Sequence, residues 1–303
     1  MISIYLNYLI LILIVLVSVS FFTLFERKLL SYLQLRKGPN KVGIMGIFQA
    51  LSDGIKLFTN EIFMLFKVNL FLYYISPFLM FMISYCMWLF YPYIFNSINF
   101  MNYFLLVFCL LSMNVYPMMF AGVYSNSVYS VLGGLRSIAQ TVSYEVSFMF
   151  LILSFLFLSE SFIIQEFLKM DFFNLIIFLP LSLMLFVSML VELNRTPFDF
   201  SEGESELISG YNVEYMSGPF ALIFLAEYSN IIFLMLIFVK MNFLNLNFII
   251  FFVFLYFLYL IILIRALLPR FRYDKLMYLV WLNYLPIVMN YLIFMIFLKY
   301  MLF

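Results

Sequence analysis

The chain has 303 residues, of which 67% are hydrophobic and only 10% charged, with a formal net charge of +1 and no histidine. A soluble domain is about half apolar, so there is too little polar surface here to clothe a globule in water, and the solvent must be largely lipid. The lack of histidine excludes His-ligated haem and argues against a zinc site. Cys86 and Cys109 stand in apolar runs at no ligand spacing and read as buried small side chains.

In lipid the backbone must pair internally, which leaves helices or a closed barrel. Barrel strands alternate apolar and polar residues, and "YLNYLILILIVLVSVSFFTLF" does not. This first stretch also lacks a basic head and a small-residue cleavage pattern, so it reads as a span and not as a cleavable signal. The expectation is an all-α integral membrane protein, one domain over 1–303. Eight transmembrane helices fall near 2–25, 69–91, 102–124, 136–158, 172–193, 218–239, 247–268 and 278–301.

The connection 26–67 contains "GIFQALSDGIKLFTNE". Ile47, Leu51, Ile55 and Phe58 recur there at helical spacing, with Asp53, Lys56 and Asn60 elsewhere. That pattern suits an amphipathic helix lying in the interface plane. The fourth span carries Glu145, nine residues past Arg136. At about 1.5 Å per residue this places it roughly 13–14 Å inside. Arg136, Gln140 and Tyr144 share one helical stripe, and Ser137, Thr141 and Glu145 the adjacent one. Such stripes suggest a wet polar strip running inward.

After the fifth span, Glu192 leads into "RTPFDFSEGESELISGYNVEY", a loop assigned to 194–217. Asp199, Glu202, Glu204, Glu206 and Glu214 crowd this segment beside the single Arg195. Clustered acids titrate as a coupled set. Phe198, Phe200, Leu207, Ile208 and Tyr211 are interleaved with them and favour burial, so the loop is expected to fold into the protein. The sixth span carries Glu227, nine residues past Gly218, at a depth matching Glu145. An acid at that depth costs on the order of 2.5–3.5 kcal/mol. Desolvation disfavours a carboxylate's charged form, so a facing pair or relay of proton-exchanging groups is expected. The bland alternative is a neutral Glu that only bonds a neighbouring helix.

All the basic residues except Lys169, Lys240 and Lys299 fall on connections 1–2, 3–4, 5–6 and 7–8 or their borders. The excess marks that side as cytoplasmic, or as the matrix in a mitochondrion, with both termini opposite.

Five stretches, "ERKLLSYLQLRKGPNKVGIMGIFQALSDGIKLFTNE", "LRSIAQTVSYE", "NRTPFDFSEGESELISGYNVEY", "GPFALIFLAEY" and "RALLPRFRYDKLMYLVW", are long, ordered and spread over most of the chain. They closely resemble the membrane subunit 1 family of respiratory complex I, the proton-pumping NADH:ubiquinone oxidoreductase. The resemblance implies an eight-helix fold in the mitochondrial inner membrane whose matrix face docks the hydrophilic arm around a ubiquinone tunnel. It implies ubiquinone as substrate. NADH, flavin and iron–sulfur clusters would belong to other subunits, and this chain itself would bind no flavin, haem, iron–sulfur cluster or metal. Partners would be the quinone-module subunits, small membrane subunits and lipids, and no nucleic acid. Matched by motif, Arg27, Arg36 and Asp53 would lie about the tunnel entrance, and Arg195 and Arg265 would line or support the tunnel. Glu192, Asp199, Glu202, Glu204 and Glu206 would form an acidic funnel. Glu145 and Glu227, with Tyr144 beside Glu145, would continue the proton path. Leu282 and Asn60 stand where the family usually has basic residues. Two other readings fit the same spans. One is an ion-coupled secondary transporter, for which no internal repeat is visible. The other is a structural anchor, which would gain nothing from buried acids.

Overall fold

The computed structural model describes residues 2–62, 68–90, 102–159, 161–162, 172–201, 203, 207–242 and 247–302. In chain order the helices are α1 (Ile2–Leu33), α2 (Gln49–Thr59), α3 (Leu70–Phe90), α4 (Tyr103–Tyr124), α5 (Val128–Ser159), α6 (Phe172–Glu192), α7 (Ser217–Asn242) and α8 (Asn247–Leu267). The last span is composite. It joins α9 (Tyr273–Tyr278), a π-helical segment (Leu279–Tyr284) and α10 (Leu285–Leu302).

Seven of these helical segments are long and apolar enough to cross a membrane. The remaining expected span corresponds to α6, 21 residues long, whose described apolar part is Leu179–Glu192. The chain is an all-α integral membrane protein. The short α2 has no buried residue. It exposes Leu51, Ile55 and Phe58 along one side, as an interfacial helix does.

Helices in lipid gain little hydrophobic drive toward one another, so their packing depends on close van der Waals approach. Central α7 is 72% buried over its apolar window, while α1 and the last span are 17% buried. Helix α7 packs against α1, α3, α6 and α8, and α5 packs against α4, α6 and α10. Two glycines permit the closest approach. A Cβ on Gly134 of α5 would meet Gly122 of α4 at 3.3 Å, and one on Gly133 would come within 2.9 Å of the Tyr211 nitrogen.

The segment between α6 and α7 is folded into the protein. Phe198, Phe200, Leu207, Tyr211 and Tyr215 are buried, whereas Ile208, expected inside, is exposed. The Tyr215 ring stacks on Tyr73 of α3 at 4.3 Å, and its hydroxyl lies 2.9 Å from Ser76 Oγ. Burial pushes the Tyr215 hydroxyl's pKa up. On the opposite flank, Phe271 N–H donates to the Pro197 carbonyl at 3.0 Å and the rings of Phe198 and Phe271 stack.

Two expectations are corrected. Helix α5 begins at Val128, eight residues before the expected start, and Arg136 lies inside it. A charge such as Arg136 marks a span border without ending the helix. Its guanidinium instead stands 6.0 Å from the Tyr273 ring. Glu145 is therefore much further along its helix than Glu227 is along α7, and the equal-depth estimate does not hold from helix starts. Second, Cys86 is half-buried and Cys109 exposed. The outside of a membrane protein is as apolar as its inside, so an apolar neighbourhood does not predict burial.

Candidate functional site

The last turns of α1 carry Glu26 and Arg27. Glu26 is only 6% exposed, a costly place for a carboxylate unless it is paired. Arg265, in the last turn of α8, donates from Nη1 to Glu26 Oε1. Tyr228 of α7 donates its hydroxyl to Glu26 Oε2 at 2.6 Å. Three helices therefore meet on one acid. Arg195, from the loop after α6, lies with its guanidinium 4.4 Å from the Tyr228 ring centroid. Its Nη2 is 3.5 Å from Glu227 Oε2. Glu227 also accepts a hydrogen bond from the Tyr211 hydroxyl on the folded loop.

A cavity of about 440 Å³ lies between α1, α2 and α7, within the range of small-molecule sites. Val19, Leu30, Ala50, Leu57, Phe220 and Phe224 make apolar walls. Glu26, Tyr228 and Arg265 stand on one side, and Arg27 and Asp53 on another. Arg27 pairs with Asp53 across α1 and α2, and Gln49 Nε2 donates to Asp53 Oδ1 at 2.8 Å. The cavity's shape and chemistry suit an apolar body bearing a compact polar head.

Polar groups continue beyond it. A small gap of about 10 Å³ is bordered by Glu26, Arg265 and Arg195. A second, of about 30 Å³, lies between α4, α7 and the end of α6, bordered by Asn114, Glu192, Asn194, Glu227 and Asn230. Glu192 in turn is near enough to Glu145 for the two carboxylates to repel. The order is cavity, Glu26 with Arg265 and Tyr228, Arg195, Glu227, Glu192, Glu145.

The structure brings Arg195, Arg265, Glu227, Glu192 and Glu145 into this series and sets Arg27 and Asp53 at the cavity. Glu192 borders the same gap as Glu227, and Glu145 lies within electrostatic reach of Glu192. Arg36 is exposed in the connection after α1 and does not border the cavity. Tyr144 is fully buried, and its hydroxyl points to the Leu276 carbonyl, 3.5 Å away. The hydroxyls of Ser137 and Thr141 are buried and bond carbonyls of their own helix. Asp199 lies 3.7 Å from Arg270 Nη2. Glu202, Glu204 and Glu206 lie outside the described residues.

Gln140 holds this loop in place. Its Nε2 donates to the carbonyls of Val191 and Phe198, at 2.9 and 3.0 Å. Glu26 and Tyr228 were not singled out from the sequence, and Tyr211 was marked there only as a loop aromatic that favours burial. Glu26 adjoins Arg27 at a span border and read as an ordinary border charge. Nothing further marks two tyrosines among 23. A usable signal was present in "AEY" (226–228), which sets Tyr228 next to a buried acid.

A family model described as NADH dehydrogenase matches residues 6–296. The chain belongs to the NADH dehydrogenase family. It is 49% identical over 302 residues to NADH-ubiquinone oxidoreductase chain 1 of Locusta migratoria, covering 98% of this chain and 96% of that protein. It is 48% identical over 292 residues to the chain 1 protein of Aedes aegypti (95% and 93% covered). It is 46% identical over 301 residues to that of Apis mellifera ligustica (97% of each). The resemblance read from the five quoted stretches therefore holds over nearly the whole NADH dehydrogenase family chain. Among its described residues, no group of three or more His, Cys, Asp or Glu could hold a metal ion.

Proposed function

We propose that this chain is a core membrane subunit of the proton-pumping NADH:ubiquinone oxidoreductase of the mitochondrial inner membrane. In this reading the cavity between α1, α2 and α7 is part of the ubiquinone passage, and the carboxylates beyond it are a proton path. The observation that carries the reading is the continuity from the cavity through Glu26, Tyr228, Arg195, Glu227 and Glu192 to Glu145. The names of the relatives supply the substrate, ubiquinone, and the partners, the other subunits of the complex. Those partners bind the redox cofactors and dock on the face formed by the basic connection 26–67 and the acidic loop 194–217. That face is the matrix side, and both termini lie on the intermembrane-space side. Arg36, exposed, serves docking there. Tyr144 packs beside Glu145.

Quinone reduction draws protons to the cavity end and alters the charge facing Tyr228, Glu26 and Arg265. Arg195 touches both Tyr228 and Glu227, so a shift at the first changes the field at the second. Glu227, Glu192 and Glu145 then redistribute protons, because adjacent carboxylates cannot all ionise together. Asp199, Glu202, Glu204 and Glu206 act as the reservoir on the matrix side.

The test is Glu192→Gln and Glu145→Gln in the assembled complex. Protons pumped per NADH oxidised with ubiquinone should fall by at least about half, while NADH oxidation by an artificial acceptor stays unchanged. Undiminished pumping in both assembled variants would remove the proposal.

A further inference from the structure

Gln140 lies fully buried on α5, on the helix that carries Glu145. Its Nε2 donates twice, to the Val191 carbonyl in the last turn of α6 and to the Phe198 carbonyl beyond it. Neither oxygen depends on this amide. Val191 already accepts from the Asn194 N–H and Phe198 from the Phe200 N–H, both at 3.1 Å, so Gln140 occupies second lone pairs. Two carbonyl oxygens repel an amide oxygen, so the nitrogen faces them. Gln140 Oε1 is left buried with no hydrogen-bond partner among the described residues. An orphaned buried acceptor costs about 1–3 kcal/mol, and a methionine would fill similar volume without that cost. A buried polar group kept under such conditions calls for a reason.

The reason lies in what the two bonds enclose. Val191 and Phe198 bracket Glu192 and Arg195. One side chain of α5 therefore ties both ends of the segment carrying these two residues to the helix carrying Glu145. Glu192 is faced by Glu145 from α5, and by Glu227 of α7 and Asn114 of α4 across the small gap. Arg195 reaches Glu227 at 3.5 Å, the outer limit of a hydrogen bond, so a displacement of about 1 Å in the segment would part them.

We propose that Gln140 is a positioning residue, whose paired hydrogen bonds set the separation of Glu192 from Glu145 and keep Arg195 against Glu227. The inference rests on the proposed proton path for its purpose. Its test requires no pumping, so the two fail separately.

The experiment is a double-mutant cycle read by infrared spectroscopy of the purified intact complex. The carboxyl band that Glu192→Gln abolishes belongs to Glu192 and is titrated against pH. Glu145→Gln removes the repulsion and shifts the midpoint of that titration. In a Gln140→Met background, which keeps the volume and loses both donors, the shift should fall to half or less. Gln140→Asn keeps the donors on an arm too short to reach both carbonyls. It should have the same effect, and it serves where Gln140→Met fails to assemble. A residue that merely fills space would leave the shift intact in Gln140→Met. An undiminished shift in either assembled variant would overturn the proposal. So would a wild-type Glu192 band that is absent or indifferent to Glu145→Gln, and so would loss of assembly in both variants, which would make Gln140 a structural residue.

Discussion

Glu26 illustrates how burial and partnership set the worth of a single residue. With Arg265 and Tyr228 both bonded to it, the acid is compensated twice. Removing one member of a buried pair leaves the other uncompensated, at a cost of about 3–5 kcal/mol. Arg265 is 34% exposed, so Glu26→Ala should fall near the lower end, about 3 kcal/mol. Heat inactivation of the assembled complex checks this. Tyr228→Phe keeps the ion pair and loses one charge-assisted bond, about 1.5–3 kcal/mol. Arg27 and Asp53 form the contrasting pair, with side chains 54% and 32% exposed. Arg27→Ala should cost no more than about 1 kcal/mol of stability by the same assay.

Among elements, α5 and the loop after α6 depend on each other. Gly133 lets the helix pass against the backbone of Gly210 and Tyr211, and Tyr211 reaches Glu227. Gly133→Val would force the backbone apart by overpacking, at about 1–3 kcal/mol. It should lower the yield of assembled complex more than Gly54→Val, whose site has open space around it. Tyr215→Phe should loosen the same loop by about 1 kcal/mol through loss of the Ser76 contact. The pH sign follows from the raised hydroxyl pKa. Burial outweighs the Ser76 bond, which alone would lower the value, so the folded state keeps the proton; the stability of the buried neutral hydroxyl is full below the unfolded value of about 10 and is lost as pH rises through the higher folded value. Limited proteolysis of the 194–217 segment as a function of pH reads this directly.

The helices were legible because unbroken apolar stretches and lipid permit little else. The surface helix was legible from Leu51, Ile55 and Phe58. Buried loop aromatics were legible where they alternate with acids. What could not be read was which distant side chains meet. Glu26 and Tyr228 are 202 residues apart, and no local pattern encodes their contact. Charge also misled at Arg136, since a charged residue marks where a membrane ends and a helix can continue past it. The site came through in part for the same reason. Glu145, Glu192 and Glu227 stand out as acids in apolar surroundings, whereas Tyr211 and Gln140 act through ordinary residue types.

At the level of the whole molecule, the 440 Å³ cavity and the gap between Glu192 and Glu227 border different faces of α7. Leu57 of α2 lines the cavity and is not itself a member of the acid series. Leu57→Trp would fill part of the space. It should raise KM for ubiquinone several-fold while leaving NADH oxidation by an artificial acceptor untouched; an unaltered KM would show that quinone passes elsewhere.

Tyr228 and Glu227 are consecutive residues of α7, and successive helical positions point about 100° apart. The first looks into the 440 Å³ hollow and the second into the acid-lined one. Because a single peptide link joins them, any twist of that rod swings both side chains in one stroke. News of an occupant on one side need travel no further than the width of a helix to be felt on the other.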